Sequence, residues 1–71
     1  MNVEVIGKNA GLIWQALAAA DAMGIKQLKK VTKLKDKETF AALGWLAREG
    51  KIAINVDDED EKEFIVSLVQ E

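Results

Sequence analysis

The sequence predicts an α+β domain, residues 1–71, in which three helices are followed by a two-stranded β-hairpin. Three observations lead to this prediction. In the first 20 residues, apolar residues recur at spacings of three and four, which is the pattern of an amphipathic helix. Gly24 and Gly50 mark the ends of helical segments. Near the end of the chain, apolar residues alternate with others in residues 52–56 and 64–69, as they do in half-buried strands.

The first helix is predicted from Val3 to Asp21 and carries two apolar stripes about a third of a turn apart. We expect the main stripe to face the core and the second to be free for a partner. Trp14 borders the main stripe and is expected to be part of the core. The main stripe consists of Val3, Ile6, Ala10, Ile13, Leu17 and Ala20, and the second of Val5, Leu12, Ala16 and Ala19.

Ile25 follows Gly24 and begins either a short extended stretch or the second helix, whose buried side is marked by Leu28 and Val31. The third helix is predicted over residues 37–49, with Asp36 as its N-cap. Gly50 takes the position where helices commonly end in a left-handed residue. At 100° per residue, the core side of this helix holds Thr39, Phe40, Leu43, Leu46 and Ala47, and the outward side holds Glu38, Ala41, Trp45 and Arg48.

This order of elements is typical of a winged helix-turn-helix with a C-terminal hairpin wing, although other α+β arrangements share the pattern. The segments "IGKNAGLIWQAL" (6–17) and "ALGWLAREGKI" (42–52) resemble those of a family of small bacterial winged-helix proteins named as a domain of unknown function. The resemblance covers most of the chain, and the tryptophan-centred "GWLAREGKI" is its most specific part. It implies the fold and is compatible with self-association, but it implies no catalytic or binding residues.

The composition argues against catalysis and metal binding. The chain contains neither cysteine nor histidine, so no disulfide, thiolate site or general-base histidine is available. The acidic segment lacks the glycine of an EF-hand loop. We therefore expect no enzyme, no cofactor, no metal and no small-molecule substrate. The apolar run from Leu12 to Ala20 is too short to span a bilayer, so we expect a cytoplasmic protein without a membrane partner.

The charges are segregated along the chain. Residues 1–56 hold nine basic and five acidic side chains, whereas residues 57–71 hold one and seven. The acids concentrate at the predicted hairpin tip, residues 57–63, which is either a solvated turn or a negative lobe that meets a positive one. An acidic wing repels phosphates, so it disfavours a nucleic-acid partner. The lysines form either a solvated helix face or a phosphate-contacting patch. The candidate nucleic-acid contacts are Lys26, Lys29, Lys30, Lys33, Lys35 and Lys37.

The outward side of the third helix offers a single arginine beside an acid and an indole, which is poor chemistry for reading bases. Trp45 is either core, covered by the hairpin or a rotated helix, or the centre of an exposed interface. The leading hypothesis is therefore protein association, most simply a homodimer, and the alternative is a DNA-binding regulator-like domain that uses the lysines. The candidate protein interface consists of Ala41, Gly44, Trp45, Arg48, Leu12 and Ala16.

Overall fold

The structure is a computed structural model that describes residues 1–56, Glu59 and residues 63–69. Within these residues it contains three helices and a three-stranded antiparallel sheet with the strand order β1-β3-β2. The predicted three helices and C-terminal strand pair are confirmed. The elements are α1 (Val3–Ala20), β1 (Ala22–Gly24), α2 (Ile25–Thr32), α3 (Asp36–Arg48), β2 (Ile52–Val56) and β3 (Phe64–Leu68).

The sheet contains one strand more than the predicted hairpin. β1 pairs with β3, with Met23 opposite Val66, and β2 pairs with the other edge of β3, with Ile54 opposite Val66. β3 is therefore the central strand. The extended stretch considered in the sequence is β1, which ends at Gly24, and Ile25 begins α2 rather than the strand. Three residues are too few for an alternating pattern to predict a strand.

α1 buries the middle of its predicted main stripe. Ala10, Ile13 and Leu17 are buried, whereas Val3 and Ala20 at the two helix ends are exposed. The helix begins after an Asn2 N-cap, whose side-chain oxygen accepts from the Val5 N–H at 2.9 Å, and it ends where Asp21 adopts a φ of 68°. In the second stripe Val5 and Leu12 are exposed, while Ala16 packs against the core.

α2 buries Ile25 and Leu28, but the prediction that Val31 is buried is wrong, since 48% of its surface is exposed. At 100° per residue, Val31 lies about 90° from the midline between the two buried residues. The helix ends at Lys33, which has a left-handed φ of 62°. The Thr32 hydroxyl donates to the Leu28 carbonyl at 2.7 Å in this last turn.

The prediction that Asp36 is the N-cap of α3 is wrong, because Asp36 is the first helical residue and Lys35 is the N-cap. The Lys35 N–H donates to Oε1 of Glu38 at 3.0 Å, so a glutamate in the first turn satisfies it. The Asp36 carboxylate instead accepts from Nζ of Lys29 at 2.7 Å. The predicted left-handed Gly50 is confirmed, with a φ of 72°.

The buried face of α3 is rotated relative to the prediction. Thr39, Leu43 and Leu46 are buried as expected, and Ala42 is fully buried beside them. Phe40 and Ala47, which were predicted on the core side, are exposed. α3 packs most extensively against α1. Phenylalanine is the more hydrophobic residue, so the pattern predicted Phe40 in the core. A small residue such as Ala42 allows two helices to approach more closely, and Ala42 is the residue that is buried. The outward face therefore also differs from the predicted one.

The core is formed by residues from all three helices and from β2 and β3. Its members are Ala10, Ile13, Leu17, Ile25, Leu28, Ala42, Leu43, Leu46, Ile52 and Val66. Two buried polar atoms, Nδ2 of Asn9 and Oγ1 of Thr39, have no hydrogen-bond partner within the described residues. None of the described helices is long and apolar enough to cross a membrane.

Candidate nucleic-acid interface

The outward face of α3 carries a cation near each end and small residues between them. Lys37, Ala41, Gly44 and Arg48 follow one another at spacings of four, three and four, so they lie on one side of the helix, opposite the buried residues. Arg48 lies eleven positions after Lys37, which corresponds to about 16 Å along the helix axis. The surface between the two cations is shallow, because a Cβ added at Gly44 would meet no described atom within 4 Å.

This face includes three members of the predicted protein interface, Ala41, Gly44 and Arg48, but the other members lie elsewhere. Trp45 lies on the flank of α3 that faces α1. Leu12 is exposed on the flank of α1 opposite Trp14, and Ala16 packs against the core. The six predicted interface residues therefore do not form one surface.

A recess where α2, α3 and β3 meet brings two of the candidate lysines close to α3. It has a volume of about 220 Å³ and is lined by Ile25, Lys26, Lys29, Asp36, Phe40, Glu63 and Phe64. Lys29 is paired with Asp36, so part of its charge is neutralised. Phe40, which is 50% exposed, lies between this recess and the outward face of α3. Lysines of α2 and the apolar flank of α3 are therefore neighbours.

The six candidate lysines are close in the sequence but do not form one compact cluster in the structure. Lys26 and Lys30 lie on the side of α2 opposite its buried residues. Lys33 is the C-cap of α2 and Lys35 the N-cap of α3, so both lie at the turn between the helices. Lys37 alone belongs to the outward face of α3. The cluster is divided among two helices and their connection, on the exposed side of the helix-turn-helix.

Glu63 has a structural role that the sequence did not reveal. Its Oε1 accepts from the backbone N–H of Ile25 at 2.7 Å, at the start of α2. Its carboxylate lies so close to Gly24 that a Cβ there would be 3.5 Å from it. An acid at a helix N-terminus is stabilised by the helix dipole. No local pattern signals this contact, because 38 residues separate the two partners. The rest of the predicted acidic tip, except Glu59, lies outside the described residues.

A second concave surface, the α1–α3 groove, runs between α1 and α3 on the other flank of α3. It has a volume of about 320 Å³ and is lined by Gly7, Ala10, Gly11, Trp14, Gln15, Trp45, Leu46, Glu49 and Lys51. Trp45 is 36% exposed, and its indole lies on Gly7, where an added Cβ would be 3.6 Å from the ring. The indole is thus partly covered by α1.

The prediction that Trp14 belongs to the core is wrong, since 45% of its surface is exposed. At 100° per residue, Trp14 lies about 70° from the midline of the buried residues Ala10, Ile13 and Leu17. It forms one wall of the α1–α3 groove. Among the described residues there is no group of three or more acidic side chains that could hold a metal ion.

Three helices, a short strand between the first two and a C-terminal strand pair define a winged helix-turn-helix domain. A family model described as "Winged helix-turn-helix domain (DUF2582)" matches residues 1–68, and the chain belongs to this family. A solved structure of protein BT2368 from Bacteroides thetaiotaomicron is 34% identical over 96% of this chain and 79% of that one, with a TM-score of 0.78. No curated protein has a sequence that matches this chain.

Two further structures share the fold at low sequence identity. BpsR of Bordetella bronchiseptica, whose DNA binding is regulated by 6-hydroxynicotinic acid, is 16% identical with a TM-score of 0.80. Reduced AbfR bound to DNA is 13% identical with a TM-score of 0.81. The alignments cover 97% and 94% of this chain but only 52% and 55% of those proteins, so the chain spans about half their length.

Proposed function

We propose that this protein binds double-stranded DNA, with the outward face of α3 in the major groove. The observation that carries the proposal is the placement of Lys37 and Arg48 near the two ends of one helix face, with only small residues between them. The second helix of a helix-turn-helix enters the major groove, which is about 12 Å wide. The two cations are about 16 Å apart along the axis, so each can reach the phosphates on one side of the groove.

α2 adds charge on the same side of the motif. The first helix of a helix-turn-helix crosses the phosphate backbone, and Lys26 and Lys30 occupy the exposed side of α2. Lys29 contributes less, because Asp36 already holds its ammonium group. Contacts of this kind position a protein on the duplex without selecting a sequence.

One acid of the predicted tip is engaged within the fold. The Glu63 carboxylate accepts from the Ile25 N–H at the N-terminus of α2, where the peptide dipoles offset part of its negative charge. Further support comes from the fold that the chain shares with AbfR, which has been solved bound to DNA. We infer a binding function and no catalysis.

The test is fluorescence anisotropy of a labelled random-sequence duplex, titrated with the protein at several salt concentrations. The logarithm of the affinity should fall linearly with the logarithm of the salt concentration, with a slope of about 0.9 per phosphate contact. Lys37→Ala and Arg48→Ala should each reduce the magnitude of that slope by about 0.9, because each removes one phosphate contact. Lys8→Ala is the matched control, because Lys8 is exposed on the solvent side of α1. Absence of binding at low salt, or equal slopes for all three variants, would contradict the proposal.

A second candidate function is self-association through the α1–α3 groove, and the two half-exposed indoles in that groove favour it. Clustered, partly exposed aromatic side chains are typical of protein interfaces. Sedimentation equilibrium should then show a dimer that Trp14→Glu and Trp45→Glu both convert to a folded monomer. A parent protein that is monomeric at high concentration would exclude this function and leave DNA binding unaffected.

A further inference from the structure

We infer that α3 recognises the methyl groups of thymine rather than the hydrogen-bonding edges of bases, so that the domain prefers duplexes rich in A·T pairs. This inference rests on the proposed function, because it concerns what the outward face of α3 does once it lies in the groove.

The face of α3 between Lys37 and Arg48 carries no side chain that can form a hydrogen bond. α3, which the structure describes in full, presents Ala41 and Gly44 there, flanked on one side by Phe40 and Ala47. None of these four side chains can donate or accept a hydrogen bond. Direct readout of guanine, adenine or cytosine uses arginine, lysine, asparagine, glutamine or acidic side chains opposite the base edge. Such side chains are absent from the middle of this helix face.

In the major groove, an apolar helix face can contact the methyl group of thymine. The C5-methyl group of thymine is the one apolar group that a base pair presents there, and contact with alanine or phenylalanine is a known way to read it. Covering the polar groups of any base pair with an apolar surface is unfavourable, and a G·C pair has no methyl group whose burial would offset this cost. The same helix face therefore favours A·T pairs over G·C pairs.

The outward face of α3 is accessible to a duplex at Gly44. A Cβ built on Gly44 would have open space around it, so the helix backbone can approach the base edges closely. Phe40 is 50% exposed and borders the recess that also contains Lys26 and Lys29. Lys29 is paired with Asp36 there, so Lys26 is the lysine beside the ring that can contact the adjacent phosphate backbone, and this places an apolar group next to the groove wall. The cations near both helix ends favour a polyanion over an apolar protein surface as the occupant of this face.

The test changes the DNA by single methyl groups. The affinity for an alternating A·T duplex is measured by anisotropy at fixed salt, together with the same duplex in which deoxyuridine replaces thymidine. Deoxyuridine keeps every hydrogen-bonding group and lacks only the C5-methyl. Each contacted methyl should contribute about a fourfold change in affinity. The opposite change is made in a G·C duplex by replacing cytosine with 5-methylcytosine, which should strengthen binding.

Protein variants locate the effect on α3. Phe40→Ala should reduce the ratio of affinities for thymidine and deoxyuridine duplexes while leaving the salt slope unchanged, because it removes a methyl contact and no phosphate contact. Val3→Ala, at an exposed apolar residue at the start of α1, should leave the ratio unchanged. Equal affinities for the thymidine and deoxyuridine duplexes would overturn the inference and leave the proposed function standing. No binding to any duplex would overturn both.

Discussion

Replacing Glu63 tests whether the contact between the start of the wing strand and the start of α2 stabilises the fold. Glu63→Ala removes the acceptor of the 2.7 Å hydrogen bond from the Ile25 N–H and leaves that partly buried amide without its partner. Hydrogen bonds to charged groups contribute about 1.5–3 kcal/mol, and loss of a helix N-cap costs about 0.5–2 kcal/mol. We expect the free energy of unfolding to fall by about 2 kcal/mol. Glu63→Gln keeps an acceptor oxygen but loses the interaction of its charge with the helix dipole, so it should cost about 0.5–1 kcal/mol.

The assay is equilibrium urea unfolding followed by circular dichroism. With a slope of about 1 kcal/mol per molar urea for a small domain, Glu63→Ala should lower the midpoint by about 2 M. Glu49→Gln is the control, because Glu49 is an exposed acid whose ion pair with Nζ of Lys51 is long, at 4.0 Å. That substitution should change the stability by less than about 0.5 kcal/mol. If Glu63→Ala unfolds at the same midpoint as the parent protein, the contact does not stabilise α2 and the reasoning is refuted.

Three further substitutions test other features by the same urea assay. Gly50→Ala should destabilise the domain by about 1 kcal/mol, because a φ of 72° is unfavourable for a residue with a Cβ; an unchanged midpoint would contradict this. Gly7→Ala should stabilise α1 by up to about 1 kcal/mol, since the added Cβ would lie 3.6 Å from the Trp45 ring, which is an ordinary contact; a loss of stability would show that the indole cannot accept it. Thr39→Val should raise the stability by about 1 kcal/mol, because the buried hydroxyl has no partner within the described residues; a decrease would indicate that the hydroxyl is bonded.

The sequence predicted the elements that have long periodic patterns and missed those set by contacts between distant residues. α1, β2 and β3 lie where their patterns predicted them, but the alternation did not predict burial, since Ile54, Val56 and Phe64 are exposed. β1 was left open because three residues carry no periodic signal, and its pairing depends on β3, more than 40 residues later. The cap provided by Glu63 could not be predicted for the same reason.

The prediction of the candidate site was less accurate, because the buried face of α3 was assigned with the wrong rotation. Assigning Phe40 to the core and overlooking Ala42 displaced the outward face of α3 toward Trp45 and away from Lys37. Hydrophobicity ranks phenylalanine far above alanine as a core residue, but a small side chain allows two helices to pack closely, and here Ala42 is fully buried while Phe40 is exposed. An interpretation that weighs side-chain volume at helix crossings as well as hydrophobicity would have placed the two cations on the same face as Ala41.

The central position of β3 also determines when this chain can fold during its synthesis. Residues 64–68 form both ladders of the sheet, and Val66 is fully buried in the core. While these residues are still inside the ribosome, the three helices have emerged but β1 and β2 have no strand between them. Closing the sheet joins segments that are far apart in the sequence, and such contacts form more slowly than those within helices. The native domain therefore forms only after β3 has left the exit tunnel, with the helices exposed until then.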